Sequence, residues 1–218
     1  MTEKKEFRTV IGKTSKELEI RKSIFISHMK ACKTEQEALD FIEEIKKEHR
    51  TATHNCYAYA IGARRMTLRY SDDGEPQGTA GIPMLEVLNK EELTNTCLVV
   101  TRYFGGIKLG ASGLIRAYSK AASQCIEEAL TVYMKNYLRI SLEIDYTLLG
   151  KVENYIQNKG FHLLDTDYTD KVKMYLYIPR DKYLDFENEI IEMTNATGRL
   201  EVYEELLLAE KNGKIIGG

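Results

Sequence analysis

A glycine-rich stretch in the middle of the chain constrains its fold more than any other feature. Residues 101–118 read TRYFGGIKLGASGLIRAY and follow a short apolar run at 98–100. Four glycines fall within nine residues, Gly105, Gly106, Gly110 and Gly113. Glycine accepts positive φ angles and close backbone approach, so this spacing predicts a strand, a tight loop and a long helix. It matches neither a P-loop nor the GxGxxG dinucleotide fingerprint.

The same loop is a candidate anion-binding site. Lys108 lies inside it, and Arg102 and Arg116 lie at its two edges. Unpaired amides and the positive end of the helix dipole favour an anion where a loop opens a helix. Alternatively, the glycines only make room for a strand that packs on its own helix. The sequence leaves both interpretations open.

Composition indicates a globular chain with an uneven charge distribution. The 218 residues suffice for two domains, and 43% hydrophobic with 29% charged residues is ordinary for a chain with a buried core. Residues 1–136 carry 21 Lys and Arg against 18 Asp and Glu, a net charge of +3, whereas residues 137–218 carry 10 against 15, a net charge of −5. We therefore expect any contact with a polyanion on the first domain.

The cysteines and the termini predict a reduced, cytoplasmic protein. No CxxC pair occurs among the four cysteines, which lie in apolar stretches and are expected to be buried thiols: Cys32, Cys56, Cys97 and Cys125. The N-terminus has no apolar signal region, and no run approaches the ~18 apolar residues of a membrane helix. We expect no membrane association.

Two charged segments precede the glycine stretch. Three arginines follow a predicted strand at 56–61 and are candidates for phosphate contacts: Arg64, Arg65 and Arg69. An acidic turn comes next, with Asp72, Asp73 and Glu75. These carboxylates suit cation binding or acid–base catalysis, but they lack the spacing of a calcium loop. The alternative is that they are solvated or paired with arginines such as Arg102 or Arg116.

No metal ion or cofactor is predicted. His49, His54 and Cys56 lie close in sequence, but no second Cys/His pair follows at ligand spacing. A histidine that begins a strand is more often a hydrogen-bonded structural group. Tyr57, Tyr103 and Phe104 could stack on bases, but their apolar neighbours favour a place in the core.

The pattern predicts two domains and a tail. After a capping box at 34–37, apolar spacing indicates a helix at 35–48, and a second helix begins near Pro83. From residue 137 to 210 the order is β-α-β-β-α-β, the ferredoxin-like plan. The predicted domains are thus 1–136 and 137–210. The tail, 211–218, has no core to join and is expected to be disordered.

Four segments resemble the Impact family, specifically its bacterial YigZ branch. They are IRKSIFISH at 20–28, HNCYAYAIG at 54–62, SDDGEPQGTAGIPMLEVL at 71–88 and VVTRYFGGIKLGASGLIRAY at 99–118. The resemblance implies an α+β fold, with an N-terminal α/β sandwich like the second domain of ribosomal protein S-five. It also implies a ferredoxin-like C-terminal domain similar to the last domain of elongation factor G. Ile82 and Ser112 depart from the family, which usually has Arg or Lys and Gly there.

Three functional hypotheses follow. The resemblance implies a translation-linked regulatory protein, and the basic side of the first domain would hold RNA or the ribosome. The second hypothesis is an enzyme that acts on a phosphorylated small molecule at the glycine loop and acidic turn, although no nucleophile is identified. The third is a protein–protein adaptor that uses Tyr175 and Tyr177 of the acidic domain. We favour binding over catalysis and assign no catalytic residue.

Overall fold

The computed structural model describes residues 6–216, which form two compact units. The N-terminal unit comprises residues 7–132, and the C-terminal unit comprises Glu6 and residues 133–216. The sequence places the domain boundary after residue 136, and the units separate slightly earlier, within the strand β7 (Leu130–Ile144).

The N-terminal unit contains an antiparallel sheet with helices on both faces. Its elements are β1 (Phe7–Ile11), β2 (Lys13–Ile20), β3 (Ser23–Ala31), α1 (Glu35–Glu48), β4 (His54–Ile61), β5 (Thr67–Ser71), α2 (Gly81–Lys90), β6 (Thr96–Tyr103) and α3 (Ala111–Glu128). The strand order is β2-β3-β6-β4-β5, and every pair is antiparallel. The predicted capping box begins α1, because the Thr34 hydroxyl accepts a hydrogen bond from the Glu37 amide.

The strand that enters the glycine loop lies at the centre of this sheet. Alternate residues of β6 face opposite sides, as a strand requires. Leu98 and Val100 pack in the core beneath α2 and α3, whereas Cys97 and Val99 pack in the core beneath α1. Because both faces are covered, every residue of β6 except the last is buried, and the strand fixes the position of the loop that follows it.

The C-terminal unit has the ferredoxin-like strand order. After β7 come α4 (Leu149–Lys159), β8 (His162–Tyr168), β9 (Val172–Pro179), α5 (Tyr183–Thr194), β10 (Arg199–Lys211) and β11 (Lys214–Ile215). The sheet path is β11-β10-β7-β9-β8. The core forms where apolar residues of β7 and β9 pack beneath α4 and α5. The α+β class and the β-α-β-β-α-β order predicted from the sequence are confirmed.

Two details differ from the sequence interpretation. The predicted disorder of the tail is wrong for its described part, because β10 extends to Lys211 and pairs with β11 through an Asn212–Gly213 turn. Both turn residues have positive φ, the conformation for which Asn-Gly is the preferred pair. Residues 217–218 lie outside the described residues. The exposed edge strand β5 occupies a segment that the sequence indicated only as a connection.

All four cysteines are buried and have free thiols, as the sequence predicted. Burial raises the pKa of the Cys32 thiol to about 11 and that of Cys125 to about 12. These thiols therefore stay protonated at neutral pH and act as small apolar groups in the core.

Candidate functional site

The four loop glycines serve different purposes. A Cβ at Gly105 would lie 2.0 Å from the carbonyl carbon and oxygen of Lys22, so the loop backbone packs directly on that residue. Gly106 and Gly110 have φ angles of 84° and 73° with open space around them. Gly113 lies in the first turn of α3. Close packing therefore explains Gly105, whereas the shape of the loop explains Gly106 and Gly110.

Arg102, predicted to frame an anion pocket, is a buried structural cation. It is 5% exposed, and its Nη1 atom donates a hydrogen bond of 2.6 Å to Glu75 Oε1. The guanidinium carbon also lies 5.4 Å from the ring centres of both Phe25 and Phe104. Since Glu75 neutralises its charge inside the protein, we leave Arg102 out of any surface that contacts phosphate.

Two of the three acidic-turn carboxylates organise the local backbone. Asp72 accepts hydrogen bonds from three amides at the N-terminal end of α2, those of Gly78, Ala80 and Gly81. It thereby caps a helix that begins without a side-chain cap of its own. The Asp73 carboxylate accepts a 2.7 Å hydrogen bond from the backbone amide of Asn55. Asp72 thus holds the turn to the start of α2, and Asp73 holds it to β4.

Glu75 is the acidic-turn residue in which one carboxylate oxygen accepts no hydrogen bond from the described residues. The residue is 8% exposed, and its Oε1 accepts hydrogen bonds from Arg102 and from the Tyr118 hydroxyl. Burial raises the pKa of Tyr118, so its phenol stays protonated and donates. No donor among the described residues makes a hydrogen bond to Oε2, and His54 Nε2 lies 3.8 Å from it.

His54 is held in one tautomer by its backbone contact. Its Nδ1 lies 2.8 Å from the carbonyl oxygen of Asp73. Since a carbonyl only accepts, Nδ1 carries a proton and donates it to this oxygen. The sequence predicts a structural role for His54, but it does not reveal that Nε2 lies beside Glu75 Oε2.

These groups line a cleft of about 420 Å³ at the start of α3. The lining residues come from four parts of the chain: Thr53, His54, Glu75, Pro76, Arg102, Phe104, Lys108, Leu109, Gly110, Ala111 and Leu114. Phe104 is 46% exposed, so the expectation that it lies in the core is wrong. Lys108 is also exposed. The cleft thus combines the Glu75 carboxylate, the His54 imidazole, an exposed aromatic ring and, in Lys108, one cation without an ion-pair partner among the described residues.

The first turn of α3 contributes an unpaired amide to this cleft. The first intrahelical hydrogen bond runs from Leu114 N–H to the Gly110 carbonyl, at 2.9 Å. Among the described residues no side chain caps this end, and the first turn carries no acidic residue. The amide of Ala111, which lines the cleft, therefore remains available to an anion, and an 18-residue helix places its positive dipole end there.

A basic surface adjoins the cleft. Arg21, Arg116 and Lys120 line a groove of about 180 Å³, and Leu109 is shared between this groove and the cleft. We call the exposed cations of this region the α3 basic surface, which comprises Arg21, Lys22, Lys108, Arg116 and Lys120. No carboxylate of residues 6–216 forms an ion pair with any of the five. The sequence predicted Lys108 and Arg116 and missed the other three.

The remaining predicted arginines lie at the other end of the sheet. Arg64 and Arg65 follow the last residue of β4, whereas the glycine loop lies beside its first residue, since His54 pairs with Arg102. Arg65 donates to the side chain and carbonyl of Asn89. Arg69 lies 3.8 Å from a carboxylate of Glu35. The six predicted cations therefore do not form one surface.

A larger cavity, of about 620 Å³, lies in the C-terminal unit. Its charged groups are largely paired, because Lys135 and Tyr137 both donate to Glu210 and Lys159 pairs with Glu189. Tyr175, proposed for protein contacts, donates a hydrogen bond to Asp167 and is half-buried. In the described part of the chain no group of three or more His, Cys, Asp or Glu residues is placed to hold a metal ion.

None of the helices described between residues 6 and 216 is both long enough and apolar enough to cross a membrane. The described residues form two compact units, each with an antiparallel sheet and helices, and thus define a two-domain α+β protein. Its N-terminal domain carries a cleft and an unpaired basic surface at one end of the central sheet.

Comparison with known proteins identifies the family. The Impact N-terminal domain matches residues 21–126, and a domain of unknown function, DUF1949, matches residues 142–197. The chain is 47% identical over 196 residues to the IMPACT family member YvyE of Bacillus subtilis (strain 168), covering 89% of each chain. It is 32% identical over 189 residues to the IMPACT family member YigZ of Escherichia coli (strain K12), covering 86% of this chain and 93% of that protein.

A solved structure has a similar fold. A crystal structure described only as that of a hypothetical protein has a TM-score of 0.59 and 29% sequence identity, and it covers 92% of this chain and 98% of its own. The chain belongs to the IMPACT family. The resemblance predicted from its four sequence segments is therefore confirmed.

Proposed function

We propose that the protein binds RNA, as a free strand or within the ribosome, through the α3 basic surface. The supporting observation is that five exposed cations lie around one groove and loop without carboxylate partners among the described residues. Unpaired cations stay free to replace the counterions of a phosphate backbone, which is the main source of affinity for nucleic acids. With the ribosome as the RNA partner, this binding would give the protein the translation-linked role that the family resemblance implies.

The spacing of these cations suits a backbone contact. Arg116 and Lys120 are four residues apart on α3, so their side chains lie on one face of the helix. Arg21 lines the same groove from the turn between β2 and β3. Glu17 and Glu19 precede that turn, but they alternate with Leu18 and Ile20, which pack towards the core. These two carboxylates consequently point away from α3.

Backbone strain in the turn also supports a binding role. Arg21 and Lys22 have φ angles of 48° and 65°, and they connect the paired residues Ile20 and Ser23. A two-residue hairpin of this kind favours Asn-Gly, and two long side chains there cost roughly 1–2 kcal/mol each. Strained conformations cluster at functional sites. We infer that the strained residues are kept because the turn places two cations, Arg21 and Lys22, beside the groove.

The test compares charge-matched double variants of the full chain. Binding to a fluorescent single-stranded RNA and to purified bacterial ribosomes is measured between about 50 and about 200 mM salt. Arg116→Ala/Lys120→Ala should weaken binding and reduce the slope of log K against log salt by ~0.7 for each phosphate that is no longer neutralised. Lys47→Ala/Lys90→Ala removes two exposed cations elsewhere and should leave both quantities unchanged.

A third variant, Arg64→Ala/Arg69→Ala, tests the other group of predicted cations. If it weakens binding more than Arg116→Ala/Lys120→Ala does, RNA uses the opposite end of the sheet and the assignment to the α3 basic surface is wrong. If the wild-type chain binds neither RNA nor ribosomes at low salt, the proposed function itself is rejected. Circular dichroism of each variant verifies that the fold is retained.

A further inference from the structure

We infer that the cleft at the start of α3 binds a ribonucleoside monophosphate unit, either as a free nucleotide or as the phosphorylated end of an RNA. The inference does not rest on RNA binding by the α3 basic surface, because Lys108 is the cation common to both, whereas Glu75, His54, Phe104 and Ala111 line the cleft alone. The first of them is Glu75, whose side chain is 3% exposed and whose Oε2 receives no hydrogen bond from the described residues.

The Glu75 carboxylate lines the cleft with one oxygen that no described residue hydrogen-bonds, so a ligand hydroxyl can donate to it. His54 does not fill this role, because its Nδ1 donates to the Asp73 carbonyl and its Nε2 lies 3.8 Å from Oε2, beyond hydrogen-bond distance. The Glu75 oxygen is therefore open to the hydroxyl donors of a ligand. The adjacent hydroxyls of a ribose are such donors, and carboxylates commonly bind them in nucleotide sites.

The opposite requirement holds at the start of α3. The amide of Ala111 is a donor without an acceptor, and Lys108 adds a full positive charge that no carboxylate of the described residues neutralises. These groups call for an anion, and a phosphate suits both the amide and the ammonium. Acceptors on one side of the cleft and anion donors on another match a sugar phosphate.

Phe104 adds a surface for the base. One face of its ring lies over the buried Arg102 guanidinium, and the residue is 46% exposed. Stacking of a base on an exposed aromatic ring adds affinity without depending on the base. The cleft volume of about 420 Å³ lies within the range of about 300–1,000 Å³ that is typical of small-ligand sites.

The test is calorimetric titration of the full chain with adenosine 5′-monophosphate, its 2′-deoxy form and unphosphorylated adenosine. We expect the monophosphate to bind, and we expect removal of either the 2′-hydroxyl or the phosphate to weaken binding at least about tenfold. Phe104→Ala should weaken it by a similar factor. Lys108→Ala should weaken the monophosphate and leave adenosine unchanged, whereas Lys90→Ala, a charge-matched variant outside the cleft, should change neither.

Glu75→Gln risks unfolding the protein, since Glu75 also binds Arg102 and Tyr118. His54→Gln probes the same side of the cleft and leaves those contacts in place. It should reduce the preference for the ribose form over the deoxyribose form. A 5′-phosphorylated oligonucleotide that binds more tightly than both its 5′-hydroxyl form and the free nucleotide would identify an RNA end as the source.

Absence of monophosphate binding, or binding unaffected by Phe104→Ala and Lys108→Ala, overturns the inference. This outcome is distinguishable from failure of the proposed function. Loss of RNA binding in Arg116→Ala/Lys120→Ala with no nucleotide binding in the wild type would support the surface and reject the cleft. Nucleotide binding without any affinity for longer RNA would support the cleft and reject the α3 basic surface.

Discussion

Arg102 and Glu75 form a buried ion pair, in which Nη1 donates to Oε1 across 2.6 Å while both side chains are at most 6% exposed. The pair joins the C-terminal end of the central strand β6 to the acidic turn. Tyr118 donates to the same carboxylate oxygen from α3, so one carboxylate connects three elements. The cleft and the glycine loop are therefore built on an internal charge pair.

Removal of one partner should destabilise the N-terminal unit strongly. Arg102→Ala leaves a buried carboxylate without its cation, and we expect a loss of about 3–5 kcal/mol in the free energy of unfolding. Urea denaturation followed by circular dichroism measures this loss. Arg69→Ala is the control, because its side chain is 61% exposed and 3.8 Å from Glu35, and it should cost less than about 1 kcal/mol. Equal losses for both variants would contradict a structural role for the pair.

The sequence predicted those elements whose signals are local. Helix α1 follows from a capping box and apolar residues at helical spacing, and the strand, loop and helix order follows from the glycines after an apolar run. Edge strand β5 was missed because its residues are exposed or half-buried and show no apolar periodicity. The Asn212–Gly213 hairpin did carry a local signal, which the interpretation of a disordered tail overlooked.

The candidate site was only partly predictable for a different reason. Arg102 and Arg116 are both arginines close to the glycine loop, yet β6 directs one inward to Glu75 while α3 exposes the other. Arg21 joins the surface only because β2 and β3 form a hairpin beside α3. Such relationships depend on tertiary packing between segments far apart in sequence, which residue types and spacing do not encode.

Gly105 and Gly106 should respond differently to the same substitution. In Gly105→Ala the new Cβ would meet backbone atoms of Lys22 at 2.0 Å, and we expect a loss of about 3 kcal/mol or more, because backbone cannot move aside as a side chain can. In Gly106→Ala the new Cβ meets open space, so only the φ angle of 84° is unfavourable, and we expect a loss of about 1 kcal/mol in the free energy of unfolding. Urea denaturation of both variants measures the difference. A smaller loss for Gly105→Ala would argue against close packing of the loop on Lys22.

His28 should make stability depend on pH. Burial, reinforced by the neighbouring His49 ring at 5.0 Å, lowers the pKa of His28 from its ordinary 6.5 to about 4. The unfolded chain therefore binds a proton that the folded chain refuses between these values. The free energy of unfolding is therefore independent of this group above about pH 6.5. It decreases as the pH falls towards 4, by at most about 3 kcal/mol.

Unfolding free energies measured between pH 4 and pH 7 test this dependence. His28→Gln removes the titrating ring, so its stability should fall less steeply with decreasing pH than that of the wild type. His162→Gln replaces an exposed histidine of the C-terminal unit and should retain the wild-type slope. A His28→Gln profile parallel to that of the wild type would show that another group is responsible.

The strained turn at Arg21 and Lys22 should allow stability and binding to be changed in opposite directions. Arg21→Asn/Lys22→Gly introduces the pair preferred at positive φ, and we expect the protein to gain about 1–2 kcal/mol in unfolding free energy. The same change removes two cations of the α3 basic surface, so affinity for RNA should fall and its salt dependence should become shallower. Arg21→Gln/Lys22→Gln removes the charges without relieving the strain, and it should weaken binding with no gain in stability. If Arg21→Asn/Lys22→Gly binds RNA as tightly as the wild type, the strain at this turn has no connection with binding.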